Sequence, residues 1–189
     1  ARHLVHRALH RMVKRYPYHA EWLSWSRWQE RIGISTMAVT VRGGHVAFHC
    51  DARFVCHCSP EELEGVIHHE LNHLVFRHPF VDPSEYPNRH ARVIAEEFTV
   101  NESIPEPLPG KPLLLADFPE LPPDEDTHTR YLRLAARHDL EDRVRLLDMH
   151  CLWDEQQSPD NLLSDEAAVR EALNADYELG PDPYDILRW

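Results

Sequence analysis

The residues whose types and spacing carry the most chemistry are His69-Glu70-Leu71-Asn72-His73. On a helix, two histidines four positions apart project from one face, about one turn from each other. Both imidazoles can then meet a single metal ion. Glu70 follows the first histidine and points to the side, where its carboxylate can reach a water on that ion. Zinc lowers the pKa of such a water towards about 7, and a carboxylate beside it takes the proton. The pattern predicts His69 and His73 as metal ligands, Glu70 as the general base of a hydrolysis, and Zn2+ as the cofactor.

A catalytic zinc needs a third protein ligand. The metzincin extension of this motif would place Gly at position 76 and His at 79, but the chain has Phe76 and Pro79 there. His78 lies one position off, near the expected helix end. The next helical pattern, Arg92 to Asn101, offers Glu96 and Glu97, only one of which can face the metal. Glu97 is preferred because Asn101 shares its face one turn later, pairing a ligand carboxylate with a polar neighbour that can orient the site. Amide hydrolysis also needs a donor for the developing oxyanion. His150, in Asp148-Met149-His150, is the first candidate, with Asp148 able to fix its tautomer; Tyr131 and His90 stand behind it. Two histidines and a carboxylate also fit a non-haem iron site, so a non-haem iron enzyme is an alternative.

These residues need elements to hold them. Ser59-Pro60-Glu61-Glu62 opens the best-marked helix, with Ser59 as N-cap, Pro60 in the first turn and Glu62 closing a capping box. Leu63, Ile67, Leu71 and Leu74 give it an apolar stripe away from the two histidines, and it is expected to stop near Pro79. Residues 88–103 read as the helix that carries Glu97. Upstream, residues 3–15 have helical apolar spacing. Trp22, Leu23, Trp25 and Trp28 are assigned to a second short helix. Residues 34–41 alternate as a strand, Arg42-Gly43-Gly44-His45 is a turn, and Val46–His49 is the return strand. Seven prolines fall between positions 105 and 123, which marks an extended, loop-like segment. Helical patterns return at about 127–138, 140–152 and 164–175. The elements add up to an α+β fold. Residues 1–125 are expected to form the domain bearing the site, and residues 126–189 a helical C-terminal extension packed on it.

Composition narrows the function. The chain has 189 residues and a net charge of −12, a balance that opposes nucleic-acid binding, which needs clustered Lys and Arg. No apolar stretch approaches the roughly 18 residues of a membrane span, and the N-terminal run lacks a signal-peptide pattern. The expected location is cytoplasmic. The four cysteines, Cys50, Cys56, Cys58 and Cys151, are too few and too irregular for a disulfide scaffold or a zinc knuckle, and free thiols are expected. Histidine is abundant, at 15 residues.

From about Thr36 to Leu134, and on towards Trp153, the chain resembles the bacterial metallopeptidase-like domains that occur beside von Willebrand A proteins and AAA+ ATPases of the MoxR type. The resemblance rests on Ala38-Val39-Thr40, Phe54-Val55, the run from Ser59 to Leu74 with His78, the block Ile94-Ala95-Glu96-Glu97-Phe98-Thr99-Val100-Asn101, and Asp148-x-His150-x-x-Trp153. In the family the Ile94 block reads like IAADYAVN, so Glu97 stands where an Asp is usual and reaches further. The resemblance implies a small zincin of the gluzincin kind, with a short sheet packed on the active-site helix and a second helix giving the third ligand.

The function expected on these grounds is a zinc-dependent metallopeptidase acting on a peptide or protein, restricted in what it cuts. Restriction is expected either from the Pro-rich segment 105–123 lying over the cleft, or from an AAA+ ATPase or von Willebrand A partner that delivers substrate. The alternative to an enzyme is a metal-binding, non-catalytic member of such an assembly. An intact Glu70 favours the enzyme, because a purely structural zinc does not need it.

Overall fold

The computed structural model describes residues 1–32, 34 and 36–137. Among them are six α-helices and one three-stranded sheet, a mixed α+β arrangement. Helix α1 (Arg2–Arg15) buries Val5, Ala8, Leu9 and Met12 and leaves its basic side chains outside. Tyr16 breaks the helix, and Pro17 starts α2 (Pro17–Trp25), which buries Ala20, Trp22 and Leu23. Trp28 is not part of that helix, as its neighbours had implied. It belongs to a short strand, β1 (Arg27–Glu30), where its ring stacks on Phe48 with centroids 4.5 Å apart.

Strands β2 (Met37–Arg42) and β3 (His45–Cys50) form an antiparallel hairpin. Gly43 and Gly44 turn it with φ of +57° and +71°. Positive φ at both central residues is the twist-matched two-residue turn that side chains disfavour. Strand β1 adds in parallel to the far side of β3, giving the order β1-β3-β2 and leaving β2 at an edge. Asp51 then caps α3 (Ala52–His57), accepting from the Arg53 and Phe54 amides.

The central element is α4 (Pro60–Val75). Its capping box forms as expected, with Ser59 accepting from the Glu62 amide and Glu62 from the Ser59 amide. It ends at Val75, short of Pro79. Arg77 takes the left-handed conformation (φ +67°) and reverses the chain into a 3-10 turn at His78–Phe80. Eleven of the sixteen residues of α4 are buried. The stripe Leu63, Ile67, Leu71 and Leu74 joins a core shared with α1, α2 and the sheet.

Helix α5 (Arg89–Glu102), capped by Asn88, packs on α4 and on α6 (Thr127–Ala135), capped by Asp126. A second core lies here: Ile94, Ala95 and Phe98 of α5 meet Tyr131 and Leu134 of α6. Phe118 and Leu121 of the Pro-rich segment complete it, Phe118 lying edge-on to Phe98 with centroids 4.9 Å apart. This segment also presses on α4. A Cβ at Gly65 would fall 2.4 Å from the Pro107 carbonyl oxygen. The segment is therefore a strap, seated against bare helix backbone. No helix among the described residues is long and apolar enough to cross a membrane. The helices expected at 140–152 and 164–175 lie outside the described residues.

The contact at Gly65 generates a prediction. Gly65→Ala gains helix propensity worth about 1 kcal/mol but drives a methyl into a backbone carbonyl. Overpacking of this kind costs roughly 1–3 kcal/mol. Urea unfolding is expected to show a net loss of stability; a variant as stable as the parent or more so would show that the strap is not tightly seated.

Candidate metal centre

Helices α4 and α5 bring three ligating side chains together. His69 Nε2 and His73 Nε2 are 3.0 Å apart. Glu97 Oε1 is 3.5 Å from the first and 3.6 Å from the second. A tetrahedral zinc with Zn–N of about 2.0–2.1 Å places its ligand atoms roughly 3.3 Å from one another. The triangle matches that spacing, so His69, His73 and Glu97 could hold a metal ion. His73 is fully buried, whereas the side chains of His69 and Glu97 are 15% and 19% exposed. The group therefore closes towards the core and opens on the His69–Glu97 side, where a substrate position would have to be.

Glu96 takes no part. It is buried in an ion pair with Arg92, one turn earlier on α5, at 2.8 Å. Arg92 thus claims one of the two adjacent carboxylates and leaves Glu97 to face the histidines.

The orientation of His69 follows from a carbonyl. Asn101 Nδ2 lies 2.8 Å from the Leu113 carbonyl oxygen of the strap, which can only accept. The amide oxygen of Asn101 must then face His69, and Oδ1 sits 2.8 Å from His69 Nδ1. His69 donates there and keeps its Nε2 lone pair for the centre. His78, one position outside the longer motif, is not a ligand. It lies behind His73, with the two Nδ1 atoms 2.9 Å apart.

Glu70 is buried beside the group. Its Oε2 accepts the Val39 amide of the edge strand β2 at 2.9 Å. Burial on its own lowers the pKa of His69. The carboxylates of Glu97 and Glu70 and the Asn101 oxygen outweigh it and raise the pKa to about 9. Two carboxylates around two imidazoles make a pocket of negative potential, suited to a cation.

On the other side of α4 lies a polar network with no counterpart in the sequence reading. Asn72, inside the HExxH motif, accepts from His19 Nε2 at 3.1 Å and donates to Ser103 Oγ at 3.0 Å. His68 Nδ1 donates to Glu106 of the strap at 3.0 Å, and Glu106 also accepts from Tyr16 and Arg15. Burial raises the pKa of Glu106, but these donors hold it below the usual carboxylate value. Glu64 pairs with Arg11 and Arg15. No short-range pattern advertises these partners, which are 31 to 91 positions apart in sequence.

The candidates for oxyanion support separate. His150 and Asp148 lie outside the described residues. Tyr131 is buried against Tyr86, and its hydroxyl accepts the Asn88 amide at 3.2 Å, which makes it a support for the start of α5. His90 shares the Glu97 face of α5 but lies two turns earlier, about 10 Å along the axis. Cys50, Cys56 and Cys58 are free thiols, as expected, and none joins the ligand group. Compared with protein-family models, curated proteins and solved structures, the chain has no match.

The His69–Glu97 pairing sets a pH dependence in protein treated with a chelator. The pKa of His69 is raised on folding, so protonated His69 contributes stability fully below about pH 6.5, its ordinary value. That contribution fades as pH rises through about 9. The urea midpoint is expected to fall across this window and the fall to flatten in Glu97→Gln. A Glu97→Gln variant that keeps the parent slope would refute the pairing.

Proposed function

We propose that this chain is a zinc-dependent metallopeptidase. The observation that carries the reading is the HExxH helix with a third carboxylate at tetrahedral spacing, open on one side, with a buried Glu70 next to the ligands. His69, His73 and Glu97 would hold the ion. A bound zinc supplies Lewis acidity and makes a water acidic enough to attack at neutral pH. Glu70 takes the proton of the attacking water and passes it on to the leaving amine. The Val39 amide fixes Glu70 Oε2 and so limits how far the carboxylate can swing. The strap and α5 keep His69 in the ligating tautomer through Leu113 and Asn101.

On this reading the fold is a small zincin of the gluzincin kind, and the chain belongs with the bacterial domains that accompany von Willebrand A proteins and MoxR-type AAA+ ATPases. A cytoplasmic peptidase must not cut indiscriminately, and a partner of that type would deliver its substrate. The same two histidines and carboxylate also fit non-haem iron. The buried carboxylate in position to act as a base favours hydrolysis, and metal analysis of the purified protein separates the two.

The test uses one substitution. Glu70→Gln is expected to keep zinc content near that of the parent while lowering turnover of a degenerate peptide library by at least about 100-fold. Equal turnover in the variant would defeat the assignment, as would zinc-edge scattering centred away from His69 and His73. The parent itself is expected to leave unfolded casein largely intact. Efficient casein degradation that is lost in Glu70→Gln would uphold the peptidase and overturn its restriction.

A further inference from the structure

The second ligand histidine is held by a buried relay that reaches a different helix. His73 Nδ1 faces His78 Nδ1 at 2.9 Å, and His78 Nε2 faces Thr127 Oγ1 at 2.9 Å. Both rings are essentially buried, His73 at 0% and His78 at 1% exposure. Two facing ring nitrogens at this distance share one proton: with two the N–H groups collide, and with none the lone pairs repel. The relay therefore has two neutral arrangements. In one, His73 Nδ1–H donates to His78, and His78 Nε2–H donates to the Thr127 hydroxyl. His73 Nε2 then carries a lone pair directed at the ligand group. In the other, the Thr127 hydroxyl donates to His78 Nε2, His78 Nδ1–H donates to His73, and the remaining proton of His73 sits on Nε2, where it blocks ligation.

We propose that His78 and Thr127 are positioning residues that supply the acceptors the metal-ligating tautomer of His73 requires, so that the docking of α6 sets the metal affinity of α4. The proposal rests on the metal-centre reading above. The relay is rigid on its own terms. The left-handed Arg77 turns the chain back so that His78 lies under His73. Arg92 Nη2 donates to the His78 carbonyl at 3.4 Å while its Nε pairs with the buried Glu96. Thr127 is the first residue of α6, directly after the Asp126 cap, and is anchored by the turn that follows it. Helix α6 is fastened to α5 by the fully buried Arg130, which pairs with Glu102, and by Tyr131 and Leu134 in the shared core. His69 depends in the same way on Leu113 of the strap through Asn101. Each ligand histidine is thus oriented from outside α4, by a different segment.

Thr127→Val keeps the shape of the side chain and removes the hydroxyl; Thr127→Ser keeps the hydroxyl. Zinc affinity, measured by chelator competition, is expected to fall about 10–100-fold in Thr127→Val and to stay within about threefold of the parent in Thr127→Ser. The cobalt-substituted visible spectrum should change with Val and not with Ser. Parent-like affinity and an unchanged cobalt spectrum in Thr127→Val would overturn the relay. Should that variant misfold, His78→Asn, which retains an acceptor for His73 Nδ1–H, is compared with His78→Phe, which does not; equal zinc affinity in the two overturns the proposal. A parent that binds neither zinc nor cobalt defeats the metal-centre reading on which the proposal rests, whereas a parent that binds them and a Thr127→Val variant that binds them equally well overturn the relay alone.

Discussion

A helix buried on nearly every side can carry polar groups only if each finds a partner, and α4 carries five buried polar side chains: Glu64, His68, Glu70, Asn72 and His73. Leaving one buried donor or acceptor unmatched costs roughly 1–3 kcal/mol. Five such losses would rival the whole stability of an ordinary domain, roughly 5–15 kcal/mol. The partners come from five different segments. Arg11 of α1 serves Glu64, His19 of α2 serves Asn72, the Val39 amide of β2 serves Glu70, Glu106 of the strap serves His68, and His78 serves His73. The arrangement of the fold around α4 can be read as the solution to that one requirement. It also explains why a segment with seven prolines is fixed in place: the strap brings Glu106 to His68 and the Leu113 carbonyl to Asn101.

What could be read from the residues in advance was local. The capping box at Ser59 and the Gly43-Gly44 turn each act within a few positions, so their residue types announce them. The choice of Glu97 over Glu96 followed from helical periodicity, and the Arg92–Glu96 pair, also one turn apart, supplies its physical reason. Strand β1 escaped because Arg27-Trp28-Gln29-Glu30 has no alternation of its own. It is a strand because β3 offers a parallel edge and Phe48 offers Trp28 a ring to stack on. The end of α4 was misplaced because Pro79 looked like the stop signal. The chain had already turned at Arg77, a residue with no special preference for the left-handed region.

The supports of the site were illegible for a related reason. Thr127 and His78 are 49 positions apart, and His68 and Glu106 are 38 apart. Such pairs obey no period, and each member alone looks like an ordinary surface residue type. The ligands could be found because they sit on helices with one-turn spacing. The groups placed to fix which nitrogen of each histidine holds the proton belong to tertiary structure. A motif therefore points to residues that could meet a metal, but the tautomers on which ligation would depend are set by the fold as a whole.

This division bears on how the cleft would be regulated. A cover must leave at little cost, so its contacts should be few and exposed. The strap is built otherwise. It buries Phe118 and Leu121, each worth roughly 1.5–3 kcal/mol if fully removed from water. It places Glu106 among three donors and abuts helix backbone at Gly65. Lifting it would expose apolar surface, strip His68 of its acceptor and release Asn101 from the carbonyl that orients it, so that His69 would lose its tautomer as the cleft opened. A segment whose removal disables the centre cannot serve as its gate. The strap is better understood as a support for the side chains that could hold a metal, orienting His69 through Asn101 rather than acting as a removable cover.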